Sequence, residues 1–169
     1  MKIRKTTTAD LPRVMEIYAT SREYMRQNGN PTQWFYEGED YPPQHLIEGD
    51  IERGVGYVCE SEGEVVAVFY FAIESDPTYS YIDGAWLNDE PYGVVHRIAR
   101  SANGSGSGEF CLNWCFEQCG NVRIDTHSNN KSMIERLIKL GYKSCGTIYL
   151  PDGAERLAFQ AYQKAGEKI

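Results

Sequence analysis

Apolar residues at Leu11, Val14, Met15, Tyr18 and Met25 recur at helical spacing behind the N-cap candidates of Thr8-Ala-Asp10. They predict a first helix after a short opening strand over residues 1–6, broken by the NGNP turn at 28–31. Pro42 and Pro43 open a second helix that carries Leu46, Ile47 and Ile51 and ends at Gly54 or Gly56. Two strand-like runs follow, 57–60 and 64–73, joined by a hairpin turn at Glu62-Gly63. The second is apolar on both faces, the pattern of a central strand. A further strand over 94–100 leads into an almost wholly apolar helix over 110–119. Val122, Ile124 and Thr126 then alternate with Arg123, Asp125 and His127 as another strand. Ser128 or Asn129 is placed to cap a helix bearing Met133, Ile134, Leu137 and Ile138, which Gly141 stops. Strands over 143–150 and 156–162, around a Pro151-Asp152-Gly153 turn, complete the order β-α-α-β-β-β-α-β-α-β-β. No repeat interrupts it, and a single domain over 1–169 is expected.

Composition narrows the class. At 169 residues and 41% apolar content, the chain can bury a core, and no apolar run approaches the length of a membrane span. No apolar stretch follows the lysines of MKIRKTTTAD, so no secretory signal is expected. The net charge of −7, with basic residues scattered, argues against a nucleic-acid partner and mildly favours cationic small molecules. Five cysteines cannot all pair, and Cys111, Cys115 and Cys119 recur every four residues along one helix. They read as small buried apolar groups, because a metal reading lacks a fourth ligand. The expectations are a reduced, cytoplasmic location, no metal and no membrane association.

The most specific chemistry lies at the junction of the 94–100 strand and the helix after it. Gly104, Gly106 and Gly108 alternate with serines where a helix begins. The first N–H groups of a helix lack internal partners and its dipole is positive there, so such a turn suits an anion, phosphate above all. No Lys-Ser or Lys-Thr follows, which removes a P-loop. Glu109 and Cys111 stand where a dinucleotide fingerprint needs glycine. The remaining readings are an x-x-x-G-x-G turn from Asn103 to Gly108 and a flexible serine-glycine linker.

This turn resembles the pyrophosphate-binding turn of the GNAT superfamily of acyl-CoA-dependent N-acetyltransferases, and the element order is similar to that family's along essentially the whole chain. The resemblance implies an α/β fold with a mixed central sheet of six to seven strands, splayed between its two central strands and flanked by helices. It implies acetyl-CoA as co-substrate, with the N–H groups of Ile98, Ala99 and Arg100 toward its pantetheine arm and thioester carbonyl. The turn itself (Asn103, Gly104, Ser105, Gly106, Ser107, Gly108), with Glu109 beside it, would take the pyrophosphate. Asn103 replaces the family's usual Gln or Arg at the first turn position. The stretch Asn130 to Gly141-Tyr142 matches a second family pattern, in which Asn130 contacts the cofactor arm; the same residue could cap the helix. Leu137 stands where many relatives carry a tyrosine general acid.

The expected reaction is direct transfer of an acetyl group to a primary amine on a small molecule. The alternative is a non-catalytic acyl-CoA-binding sensor or interaction module on the same fold. Amide formation needs a base, because an alkylammonium has a pKa of roughly 10. His96 is a candidate base or a hydrogen-bonded core histidine. Asp125 and His127, two apart on one strand, can form a carboxylate–imidazole pair or serve structure. His45 reads as a surface residue. Tyr149 is favoured over Tyr142, which should pack in the core, as a donor to the leaving thiolate. Gln33 and Trp34, with Phe35 and Tyr36, and the long segment 75–92 with Tyr79, Tyr81, Asp83 and Trp86, are candidates for the acceptor pocket or loops packed on their own aromatics. Asp83 would partner an ammonium. A homodimer stands open beside the monomer.

Overall fold

The computed structural model describes residues 1–36 and 38–163. Its elements follow the expected order. Strand β1 (Lys2–Lys5) leads through a single 3-10 turn into helix α1 (Leu11–Gln27). A two-residue hairpin, β2 (Phe35–Tyr36) and β3 (Glu39–Asp40), precedes helix α2 (Gln44–Arg53). Strands β4 (Gly56–Ser61) and β5 (Glu64–Ile73) follow, then β6 (Asp83–Gly84) and β7 (Gly93–Arg100). Helix α3 (Ser107–Cys119), strand β8 (Asn121–Thr126), helix α4 (Lys131–Lys139) and strands β9 (Lys143–Tyr149) and β10 (Glu155–Tyr162) complete the chain. The architecture is α/β, with a mixed central sheet flanked by helices. No helix of the described residues is long and apolar enough to cross a membrane.

The chain divides into two compact units, Met1–Phe71 with Arg97–Cys111, and Ala72–His96 with the residues from Leu112 on. In the first, strands are ordered β1-β4-β5-β7. Glu62 and Gly63 both take positive φ, 53° and 85°, which gives the β4–β5 hairpin its tight turn. Residues 65–71 of β5 are buried without alternation, as its two-faced apolar run requires. Helix α1 buries Leu11, Val14, Ile17 and Tyr18 at helical spacing against Val58, Val65, Val68 and Ala99. Helix α2 begins after Pro43 and ends on left-handed Gly54 at φ 66°.

In the second unit the order is β7-β8-β10-β9-β6. The parallel register of β7 with β8 ends at Val95↔Ile124, although β8 runs on to Thr126. The two-residue β6 adds an eighth strand to a sheet for which six to seven were expected. It is admitted because Gly84 meets Gly146 across β9: a Cβ on Gly146 would lie 2.1 Å from the Asp83 carbonyl oxygen.

Two helix starts and one helix face differ from the sequence reading. Helix α3 opens at Ser107 rather than Phe110, which draws Ser107, Gly108 and Glu109 into its first turn. Helix α4 is capped by Asn130, not by Ser128 or Asn129, since the Asn130 side chain accepts from Met133 N. Ile138, expected on the buried face, is 61% exposed, and Leu137 alone of that helix is buried.

Candidate active site

In the first unit, the chain leaves β7 through a compact turn. Ser101 N donates to the Val66 carbonyl at 2.9 Å, Gly104 N to Ser101 O at 3.0 Å, and Ser107 N to Gly104 O at 3.1 Å. Ser107 Oγ closes the same carbonyl at 2.7 Å. Gly104 is pressed so tightly that a Cβ would sit 2.6 Å from the Val66 carbonyl oxygen. Gly106 takes φ +78° and accepts the first helical bond of α3 from Phe110 N at 3.0 Å. A flexible linker has no such bonds. The turn proper is Ser101–Gly106; Asn103 and Ser105 are exposed in it, and Gly108 and Glu109 lie beyond it in the helix. These residues fit an anionic group. The left-handed glycine, where a Cβ would touch only Met1 Cε at 3.9 Å, immediately precedes the positive end of α3. Ser101 Oγ is also buried without a partner.

Upstream of the turn, Ile98 is half-buried, Ala99 packs in the core and Arg100 is exposed. Sequence reasoning missed Arg97. Its φ is +52°, inside a strand. Its carbonyl accepts from the Tyr18 hydroxyl at 2.9 Å, and its Nη2 donates to Asp50 Oδ2 at 2.5 Å. Gln33 accepts from the Asn30 side chain, and Trp34 packs edge-on to Tyr18 with ring centroids 5.7 Å apart. These two acceptor-pocket candidates thus sit over α1, while Phe35 and Tyr36 are exposed.

In the second unit, His96 forms a cluster that the sequence showed only in part. Its Nε2 lies 2.6 Å from Asp76 Oδ2 and its Nδ1 3.9 Å from Asp125 Oδ1. Asp76 is held in turn by Thr78, whose N–H and Oγ donate to Asp76 Oδ1 at 2.8 and 2.6 Å. Burial would raise the Asp76 carboxyl, but the bonds from His96 and Thr78 outweigh it and hold its pKa at about 2. Asp76 is therefore an ionised acceptor, and the His96 nitrogen facing it carries the proton. Tyr79, itself buried, donates to Asp125 Oδ1 at 2.7 Å. Burial and then the Asp125 charge push the Tyr79 phenol well above its ordinary pKa.

The carboxylate–imidazole pair expected between Asp125 and His127 does not form. Strand β8 ends at Thr126, and His127 turns away to accept from Asn129 N through Nδ1 at 3.1 Å. Burial, then the charge of Arg156, lowers the His127 pKa. Asp125 has His96 as its imidazole neighbour instead. Asn130 is engaged by α4's cap and by Thr126 Oγ1, to which its Nδ2 donates at 3.1 Å. Tyr149 is exposed, its ring 6.0 Å from that of Tyr81; slight desolvation, then Asp83 and Glu155, push its phenol up. Asp83 and Tyr81 are both exposed at the β6 edge, and Asp83 is in register with Thr147. Trp86 packs on Tyr79 and donates to its carbonyl at 3.0 Å. His45 is exposed, Tyr142 is buried and Leu137 has no exposed surface. Burial also raises the Cys115 thiol, and no group of metal-ligating residues occurs among the described residues.

The chain is similar to solved acetyltransferases over nearly its full length. A GNAT-family acetyltransferase from Streptococcus agalactiae is 31% identical, covers 96% of this chain and 95% of its own, and superposes with a TM-score of 0.87. A ribosomal-protein-alanine N-acetyltransferase from Brucella melitensis shares the fold at 20% identity, 96% and 100% coverage and TM-score 0.63. The ribosomal-protein-S18-alanine N-acetyltransferase of Escherichia coli does so at 14% identity, 99% and 97% coverage and TM-score 0.64. No protein-family model and no curated protein sequence matches.

Proposed function

Because the chain belongs to the GNAT family of acetyltransferases, we propose that residues 1–169 form a single N-acetyltransferase domain that moves an acetyl group from acetyl-CoA directly to a primary amine on a small molecule. The observation that carries this reading is the Asp76–His96 pair. An incoming ammonium must lose a proton before it can attack a thioester. With its Nε2 proton committed to Asp76, His96 offers Nδ1 as the proton acceptor, directly or through water. The Asp125 side chain lies beside the imidazolium that results, with Tyr79 holding its oxygen.

The remaining roles follow from strand and turn. The N–H groups of Ile98, Ala99 and Arg100 take the pantetheine arm and the oxyanion that develops on the thioester carbonyl. The Ser101–Gly106 turn and the start of α3, through Ser107, Gly108 and Glu109, take the pyrophosphate. Asn130 steadies α4 and adds a contact to the cofactor arm. A leaving thiolate with a pKa of about 8.5 can depart unassisted; where a donor takes part, Tyr149 is the candidate. Gln33, Trp34, Tyr81 and Asp83 shape acceptor choice, and the net charge of −7 favours a cationic one. Direct transfer is supported by Cys111 and Cys115, which are fully buried and poor nucleophiles.

One observation favours a second reading, an acyl-CoA-binding sensor: Leu137, at the family's tyrosine position, is sealed in the core. The test is release of free thiol from acetyl-CoA in the presence of a panel of small amines, beside calorimetric binding. Amine-dependent release supports the transferase. Binding without release at any amine favours the sensor, and absence of binding removes both.

A further inference from the structure

Among the described residues, three that are not glycine have positive φ: Trp34, Glu62 and Arg97. The first two lie outside strands, at turns, where this conformation is common. Arg97 lies inside β7, where its φ of 52° interrupts the extended backbone. A side chain with a Cβ pays for the left-handed conformation, which persists only where surrounding contacts over-determine it. Three contacts of the first unit do so. The Tyr18 hydroxyl holds the Arg97 carbonyl at 2.9 Å. Asp50 on α2 holds the guanidinium at 2.5 Å, and the guanidinium carbon stands 4.9 Å over the centre of the Tyr70 ring.

The ion pair is an uneconomical way to obtain stability alone. The side chains are 11% and 7% exposed, so both charges are largely desolvated, and Arg97 Nε is buried with no acceptor. A well-packed apolar pair would stabilise as well or better. What the pair supplies is direction: an ion on α2 and a hydroxyl on α1 fix one residue of β7 from its two ends. That residue immediately precedes Ile98, Ala99 and Arg100. A bend at Arg97 re-aims the N–H groups that follow, as bulges do where strands meet functional sites.

We infer that Arg97 and Asp50 are positioning residues for acetyl transfer, their ion pair locking the left-handed bend that aims the N–H groups of residues 98–100. This rests on the transferase reading above. Arg97→Ala removes the lock and keeps the Cβ penalty, whereas Arg97→Gly removes the lock and the penalty together. Both variants should lose similar thermal stability. In crystal structures, residue 97 should return to negative φ in Arg97→Ala and stay positive in Arg97→Gly. With saturating amine, kcat should fall about 100-fold in Arg97→Ala, the scale set by a misplacement of about 1 Å. Arg97→Gly should recover at least about tenfold of that loss, and acetyl-CoA affinity should change less than kcat in both. Asp50→Asn, which keeps the shape and removes the charge, should fall between wild type and Arg97→Ala. Positive φ retained in Arg97→Ala, or equal kcat in the Ala and Gly variants, would overturn the lock. A wild type that transfers acetyl to no amine would sink the transferase reading, and the φ of residue 97 in the variants would still decide the lock.

Discussion

Asp76 uses its two carboxylate oxygens for different ends. One caps the 3-10 turn Pro77–Tyr79 through Thr78 and the other holds His96. The turn therefore fixes the carboxylate, and the carboxylate fixes the imidazole. His96→Ala should lower kcat by about 100-fold or more, the usual reach of a general base, while acetyl-CoA binding by calorimetry stays near wild type. Asp76→Asn should lower kcat less, because the ring remains but its tautomer is no longer imposed. A loss of rate in His96→Ala that only tracks lost thermal stability would return the residue to the core. Asp76 escaped the sequence analysis because its partner lies 20 residues away. The signal was nonetheless present: Asp76 followed by Pro77 is an N-cap with proline at the first helical position. Arg97 and Asp50 were legible in the same sense, as a charge in mid-strand and an acid on the buried face of α2.

At the scale of elements, the alternating and helical patterns located every helix and every long strand, since burial of one face dictates both periods. The elements they missed are the two-residue strands and the 3-10 turns Thr8–Asp10 and Pro77–Tyr79, too short to show a period. The start of α3 was misplaced because glycine and serine disfavour helix, yet Ser107 and Gly108 are drawn in by the bonds that close the turn before them. In that turn, Gly106 alone has positive φ, and a Cβ there would touch only Met1 Cε, at 3.9 Å. Gly106→Val should therefore meet only the flexible Met1 side chain but oppose the turn's backbone, and should weaken acetyl-CoA binding by at least about tenfold, the equivalent of 1.4 kcal/mol. Melting temperature should fall by only a few degrees, as roughly 1 kcal/mol of local strain implies. Unchanged affinity would show that the turn does not hold the cofactor.

For the molecule as a whole, acid stability provides a measure of how much these carboxylates hold. Asp76 is held at about 2 and Asp10, forked by Arg4, is likewise depressed. Unfolded aspartate has a pKa of about 3.9, so the native state binds fewer protons than the unfolded state across this interval. The stabilisation is present in full above pH 4 or so and drains away as pH falls through about 2. Asp76→Asn should accordingly flatten the acid limb of a stability–pH curve from circular dichroism and leave the alkaline limb alone; an unchanged acid limb would contradict the assignment. A further consequence belongs to β7, whose neighbours His96 and Arg97 are committed to different acids, Asp76 in one unit and Asp50 in the other. Adding or deleting one residue just upstream would put the wrong ring, or the wrong cation, before each acid, whereas a substitution changes only one partner at a time. Away from His96 and Arg97, this strand is thus freer in residue type than in length. A library of single-residue insertions and deletions across residues 93–100 should lose function throughout that span, while insertions at the exposed 151–153 turn survive.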